Sequence, residues 1–156
     1  MSDRVAIAKR AEPAALDYGK LPTYLGYNLR RAQAAVFADF EKRIGPLDVT
    51  PGQFGLLALI AANPGISQIE LARAVGLDKS TVSPAVDKLE RRRLITRQRS
   101  DDDRRASNVA LTAEGETLLR RLDGLVEEHE RAIAADLSAE ERQILTRLLR
   151  KIVDRE

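Results

Sequence analysis

The sequence predicts a mainly α fold of the α+β kind, helical along most of its length with one short β-hairpin around residue 100. Three observations predict it. Apolar residues recur every three or four positions through most of the chain. Three hydroxyl residues each stand three places before a carboxylate or amide, the pairing that satisfies orphan donors at a helix start. The period shifts once, where the short β-branched and apolar runs Leu94-Ile95-Thr96 and Asn108-Val109-Ala110-Leu111 flank a charged segment.

Residues 1–20 show no sustained period and read as an N-terminal arm. From Leu21 the apolar positions Leu25, Leu29, Ala32, Val36, Phe40 and Ile44 form one helical stripe over 21–46, stopped by Gly45-Pro46. Thr50 and Gln53, with Pro51 at the first helical position, open a second helix that Asn63-Pro64-Gly65 closes. Ser67 and Glu70 open a short third helix ending at Gly76. The fourth runs from Lys79 to Arg92, with Val82, Val86 and Leu89 on one face and polar side chains on the other. After the hairpin, a long helix starts at Thr112 with Leu118, Leu122, Leu125, Val126, His129 and Ile133 on its stripe, and Gly115 and Gly124 weaken it locally. Ser138 and Glu141 open the last helix. The expected organisation is an arm (1–20), a first dimerisation helix (21–46), a compact lobe (47–111) and C-terminal dimerisation helices (112–156).

Composition narrows the function. The chain has 156 residues, 44% apolar and 32% charged, which suits one globular domain with appendages. With no Cys, thiolate metal sites, Cys nucleophiles and thiol switches are excluded. His129 is the single His, too few for a multi-His metal site and little support for Ser/His catalysis. No phosphate-cradling glycine loop is present, so neither an enzyme nor a bound cofactor is expected. No apolar stretch reaches the ~20 residues of a membrane span and no signal-peptide core follows the N-terminal charges, so the expected location is cytoplasmic.

The net charge of +2 conceals an uneven distribution. Residues 79–105 hold nine Lys/Arg against five Asp/Glu, whereas the flanking segments are near neutral or acidic. Local potential steers a polyanion, so this stretch is the expected contact surface. A short helix, a glycine turn and a second helix with a polar outer face make a helix-turn-helix, with Ala72 small at the crossing, Gly76 free to take positive φ and Val82 pointing into the joint. A basic hairpin directly after it makes a winged helix-turn-helix, one helix for the major groove and the hairpin for phosphates or the minor groove.

Leu-Asp-Val-Thr-Pro-Gly-Gln-Phe-Gly-Leu-Leu (47–57), Ser-Gln-Ile-Glu-Leu-Ala (67–72), Leu-Asp-Lys-Ser-Thr-Val-Ser (77–83), Leu-Glu-Arg-Arg-Arg-Leu-Ile (89–95) and Asp-Asp-Arg-Arg-Ala followed by Leu-Thr-Ala-Glu-Gly (102–115) resemble MarR-family transcriptional regulators. The resemblance runs in register from about Leu21 to Arg155. It implies a homodimeric repressor, less often an activator, that leaves double-stranded DNA when a small effector binds. Independently, the helices at both ends carry more apolar stripe than one small lobe can cover, and a two-fold dimer buries it and predicts an inverted-repeat site. The competing expectation is a helical protein-interaction module of the same fold without sequence-specific DNA binding.

On the recognition helix the expected contacts are Lys79, Ser80, Thr81, Ser83 and Lys88, with Pro84 offering an apolar patch to a thymine methyl where relatives carry a polar side chain. Ser67 and Gln68 are expected at the DNA backbone, and Asp87 in an ion pair with Arg91. In the wing, Arg104 and Arg105 are expected at the minor groove or phosphates, oriented by Asp103, with Arg97 and Arg99 facing phosphates. All six aromatics fall between residues 18 and 54. By the resemblance, Tyr27, Arg30, Arg31, Phe37 and Phe54 line a site for an aromatic carboxylate, a phenol or an acyl-thioester. His129 is expected in the core.

Overall fold

A computed structural model describes residues 16–99 and 107–154. Most of the expected arm and the hairpin tip, with Asp101, Asp103, Arg104 and Arg105, lie outside the described residues. The chain divides into two compact units, Met1–Ala34 and Ala35–Glu156.

The helix expected to begin at Leu21 starts later. Leu21–Thr23 is a single 3-10 turn carrying Pro22, Tyr24 is extended, and helix α1 runs Leu25–Ile44. Asn28 explains the break: its Nδ2 donates to the Pro22 carbonyl at 2.8 Å and to the Tyr24 carbonyl at 2.9 Å, satisfying acceptors around the break.

The second unit follows the boundaries that capping dictates. Helix α2 spans Pro51–Ala62 and α3 spans Gln68–Ala74, each opened by the expected reciprocal cap, Thr50 with Gln53 and Ser67 with Glu70. Helix α4 spans Lys79–Arg91, α5 spans Ala113–Ile133 and α6 spans Ala139–Val153, the last capped by Ser138 and Glu141. The hairpin pairs β2 (Ile95–Arg99) with β3 (Ser107–Leu111) in antiparallel register, Ile95 opposite Leu111 and Arg97 opposite Val109. A two-residue strand, β1 (Ile66–Ser67), adds to the other edge of β3 through Ile66 opposite Val109, giving the order β1-β3-β2. Two strands are expected from the sequence, and the third, β1, is too short to show any alternation.

One core ties these elements together. Ile44 of α1, Leu57 and Ile60 of α2, Leu71 of α3, Val86 and Leu89 of α4, Val109 of β3 and Leu122 of α5 are all fully buried. The apolar stripe of α6 is different: Ile144, Leu145, Leu148 and Leu149 are exposed, and no residue of that helix is buried. Among the described residues no single helix is long and apolar enough to cross a membrane, and no cluster of His, Asp and Glu could hold a metal ion.

Candidate nucleic-acid interface

The α3–α4 corner is built by backbone chemistry. Gly76 has φ 70°, its N–H donates to the Arg73 carbonyl, and Leu77 N–H reaches back to the Ala72 carbonyl at 3.0 Å. That is a Schellman closure, which glycine accommodates because it lacks a Cβ. Ala72 and Val82 are both 2% exposed and fill the joint. Asp78 then caps α4 by accepting from Thr81 N–H at 2.8 Å. The first-turn hydroxyls of Ser80 and Thr81 also donate to Asp78 Oδ1, and these bonds, the one from Ser80 foremost, hold its carboxyl below the usual aspartate range.

With Val82, Val86 and Leu89 buried, α4 turns Lys79, Ser80, Thr81 and Pro84 outward, and Ser83, Asp87 and Lys88 are half-buried along the same side. Lys88 pairs with Asp48 at 2.9 Å, which holds the Asp48 carboxyl below its usual range. Arg92 joins them, donating to the Leu47 and Asp48 carbonyls. Arg92 is thus a strut between α4 and the turn before α2. The end of α4 repeats the Schellman pattern, with Arg93 at φ 59° where glycine is usual and Leu94 N–H donating to the Leu89 carbonyl.

Three expectations need revising. Arg97, expected to face a phosphate, turns onto α4, where Nη2 bonds Asp87 and Nη1 lies 3.4 Å from Glu90. Strand alternation is the cause: Arg97 shares the inward face with Ile95, which is 2% exposed, while Thr96 and Gln98 are exposed. Its Nε is buried with no hydrogen-bond partner. Asp87 therefore pairs with Arg97 and not with Arg91. Gln68, expected at the DNA backbone, is buried at 6% exposure and donates from Nε2 to Ser83 Oγ at 2.7 Å. Ser67 is occupied by its cap: Oγ accepts from Glu70 N–H and donates to the Glu70 carboxylate, which that bond holds below its usual range. The backbone of Arg99 pairs with Ser107, and Asp103, Arg104 and Arg105 lie outside the described residues.

The residues expected around an effector divide between the two units. In the first, the Arg31 guanidinium lies 5.8 Å over the Tyr27 ring, Tyr18 stacks tilted on Tyr27, and Arg30 is exposed. In the second, Phe37 is exposed and Phe54 is half-buried against Phe40. His129 is in the core, as expected, edge-on to Phe40 and 2.7 Å from Asp39 Oδ2. The same oxygen accepts from Arg43 Nε, and Arg43 first, then His129, hold the Asp39 carboxyl below its usual range. Sequence reasoning missed Asp39, Asp48 and Glu90. Asp78 directly before Lys79-Ser80-Thr81 carried a legible capping signal that was also missed.

A capped helix-turn-helix with its second helix facing outward beside an antiparallel hairpin defines a winged-helix transcriptional regulator. Comparison with known proteins gives the family. The MarR family model matches residues 47–106. A Thauera aromatica protein, named as a transcriptional regulatory protein for the hcr operon, is 39% identical over 140 residues, 89% of this chain and 84% of that one. The transcriptional repressor CouR bound to a 23-mer DNA duplex is 38% identical with a TM-score of 0.84, covering 90% of this chain and 99% of that one. CouR bound to p-coumaroyl-CoA is 36% identical with a TM-score of 0.83, covering 91% and 100%. The chain belongs to the MarR family.

Proposed function

We propose that this protein is a homodimeric, cytoplasmic repressor, without enzymatic activity, that binds an inverted-repeat operator and leaves it when a small aromatic acid or its acyl-thioester binds. The observation that carries DNA binding is the outward face of α4: Lys79, Ser80, Thr81 and Pro84 project from a helix whose other face is fully buried. A helix held this way presents side chains to a major groove at fixed spacing. Dimerisation is supported by the uncovered apolar stripe of α6 and by the exposed Leu21, Tyr24 and Leu25 before and at the start of α1. The two-fold pairing of such surfaces places two copies of α4 against one duplex. Tyr27, Arg30 and Arg31 are the candidates for holding the effector, an aromatic ring under a guanidinium with a second cation suited to an anion. The CouR complex with p-coumaroyl-CoA supports the thioester class.

The test is a mobility shift on the duplex upstream of the protein's own coding sequence, repeated with aromatic carboxylates and their coenzyme A thioesters. Specific retardation that one of these ligands reverses is expected. Changing Arg104 and Arg105 together to Ala should reduce the slope of log K against log salt by roughly 0.9 per lost phosphate contact. A monomer in solution, or equal binding to promoter and random duplex, would refute the reading and leave a protein-interaction module.

A further inference from the structure

We infer that Gln68 is a positioning residue that fixes the Ser83 hydroxyl as an outward hydrogen-bond donor, and that Ser83 and Pro84 together read one thymine. This rests on the reading of α4 as the helix that faces DNA.

A serine hydroxyl offers one donor and two acceptor lone pairs, and its neighbours decide which of them faces outward. Ser83 Oγ accepts from Gln68 Nε2 at 2.7 Å, so one lone pair is occupied from the protein side. Gln68 is buried and held at the start of α3 directly after the Ser67 cap, so the amide keeps its place. Hydroxyls elsewhere turn their proton onto their own helix: Thr117 donates to the Ala113 carbonyl at 2.8 Å and Thr146 to the Arg142 carbonyl at 2.9 Å. Among the described residues, Ser83 makes no such bond, so its proton remains for an outside acceptor beside the one lone pair that Gln68 leaves free. Ser80 and Thr81 have the opposite polarity. Both protons go to Asp78 Oδ1, at 2.5 and 2.9 Å, so these two side chains present only lone pairs.

Next to the Ser83 donor, Pro84 exposes an apolar ring. On the major-groove edge, thymine places an O4 acceptor beside a C5-methyl group. Guanine and adenine offer acceptors without the methyl, and cytosine offers neither the acceptor nor the methyl, so its amino group could use only the remaining lone pair of Ser83. A donor and an apolar ring on adjacent residues therefore match thymine best.

The test is selection of bound duplexes from a library with a randomised core, using the full-length wild-type protein, Gln68→Glu, Ser83→Ala and Gln68→Leu. Each selected thymine is then replaced singly by deoxyuridine or cytosine. The wild type should enrich an inverted repeat holding one thymine per half-site that resists replacement by cytosine by about fivefold or more, with a smaller loss for deoxyuridine. Gln68→Glu replaces the amide donor with a carboxylate that accepts the Ser83 proton, so the preference at that position should move toward cytosine or adenine, whose amino groups donate. Ser83→Ala should flatten the preference for the acceptor while keeping the methyl effect. If burying a carboxylate prevents Gln68→Glu from folding, Gln68→Leu, which leaves Ser83 free to rotate, should still reduce discrimination at that one base pair. Equal weakening on every sequence, with preferences unchanged, would overturn the positioning role while leaving DNA binding intact. No enriched sequence for the wild type would overturn the DNA-binding reading as well.

Discussion

Two glycines of α5 should respond in opposite directions to the same substitution. At Gly115 an added Cβ would lie 2.0 Å from the Leu94 carbonyl oxygen and 3.0 Å from its carbon, with Leu111 Cδ2 at 3.4 Å. The obstruction is backbone and cannot rotate away. Carbon and oxygen need more than an ångström beyond that, so the start of α5 must lift from the joint between α4 and β2. Two hydrogen bonds hold it there: Thr112 N–H to the Leu94 carbonyl at 3.1 Å and Thr112 Oγ1 to the Arg93 carbonyl at 2.6 Å. Overpacking costs about 1–3 kcal/mol, and each loosened hydrogen bond roughly 0.5–1.5 kcal/mol. The gain in helix propensity returns only about 1 kcal/mol. Gly115→Ala should therefore lose about 1–5 kcal/mol. Gly124 is exposed with nothing within 4 Å of its would-be Cβ, so Gly124→Ala keeps the propensity gain and should add up to about 1 kcal/mol. Urea unfolding followed by circular dichroism, at one protein concentration because dimerisation would couple to stability, measures both. If Gly115→Ala is as stable as the wild type, or both variants shift the same way, the docking of α5 on the Leu94 carbonyl is wrong.

Arg93 occupies a left-handed position at the end of α4 that strains any side chain, so Arg93→Gly should raise stability by about 0.5–1 kcal/mol in the same assay; a loss would show that the Arg93 side chain does more than tolerate the turn. Asp39 predicts a pH effect. Its carboxyl is held below the ordinary value of 3.8 in the folded protein, so its contribution is present above that value and is lost as pH falls through the depressed one. Asp39→Asn should be less stable than the wild type at neutral pH, and the difference should shrink on acidification through that window. A difference that stays constant with pH would mean that the carboxylate charge is not what Arg43 and His129 stabilise.

Capping carried most of the legible fold. Thr50, Ser67 and Ser138 each mark a helix start within a residue, because the cap is a local bond between positions three apart. The long-range polar pairs were not legible. Lys88 with Asp48 and His129 with Asp39 join residues 40 and 90 positions apart, and no spacing rule reaches that far. β1 exists because Ile66 meets Val109, a pairing that its two residues alone could not announce. Arg97 is the instructive case between these extremes. Charge alone suggested a phosphate contact, yet the alternation of Ile95, Thr96, Arg97 and Gln98 already placed it on the buried face. Weighing period above charge would have turned it inward.

That inward turn settles how a helix bearing two carboxylates can face a polyanion. Asp87 and Glu90 lie on α4, and unpaired they would repel phosphates. Arg97 meets both from β2, and Asp48 meets Lys88 from the turn before α2. Among the described residues, the α4 cations without a carboxylate partner are Lys79 and Arg91, one at each end of the helix. The guanidinium of Arg97 thus offsets one of these two negative charges and fixes the hairpin against α4. In the proposed interface, Lys79 and Arg91 contribute to the positive potential offered to DNA together with Arg104 and Arg105 of the wing. Losing Arg97 would leave both carboxylates unpaired beside the outward side chains of α4, a change of one unit of charge, the same as losing one arginine at a phosphate but placed within the lobe.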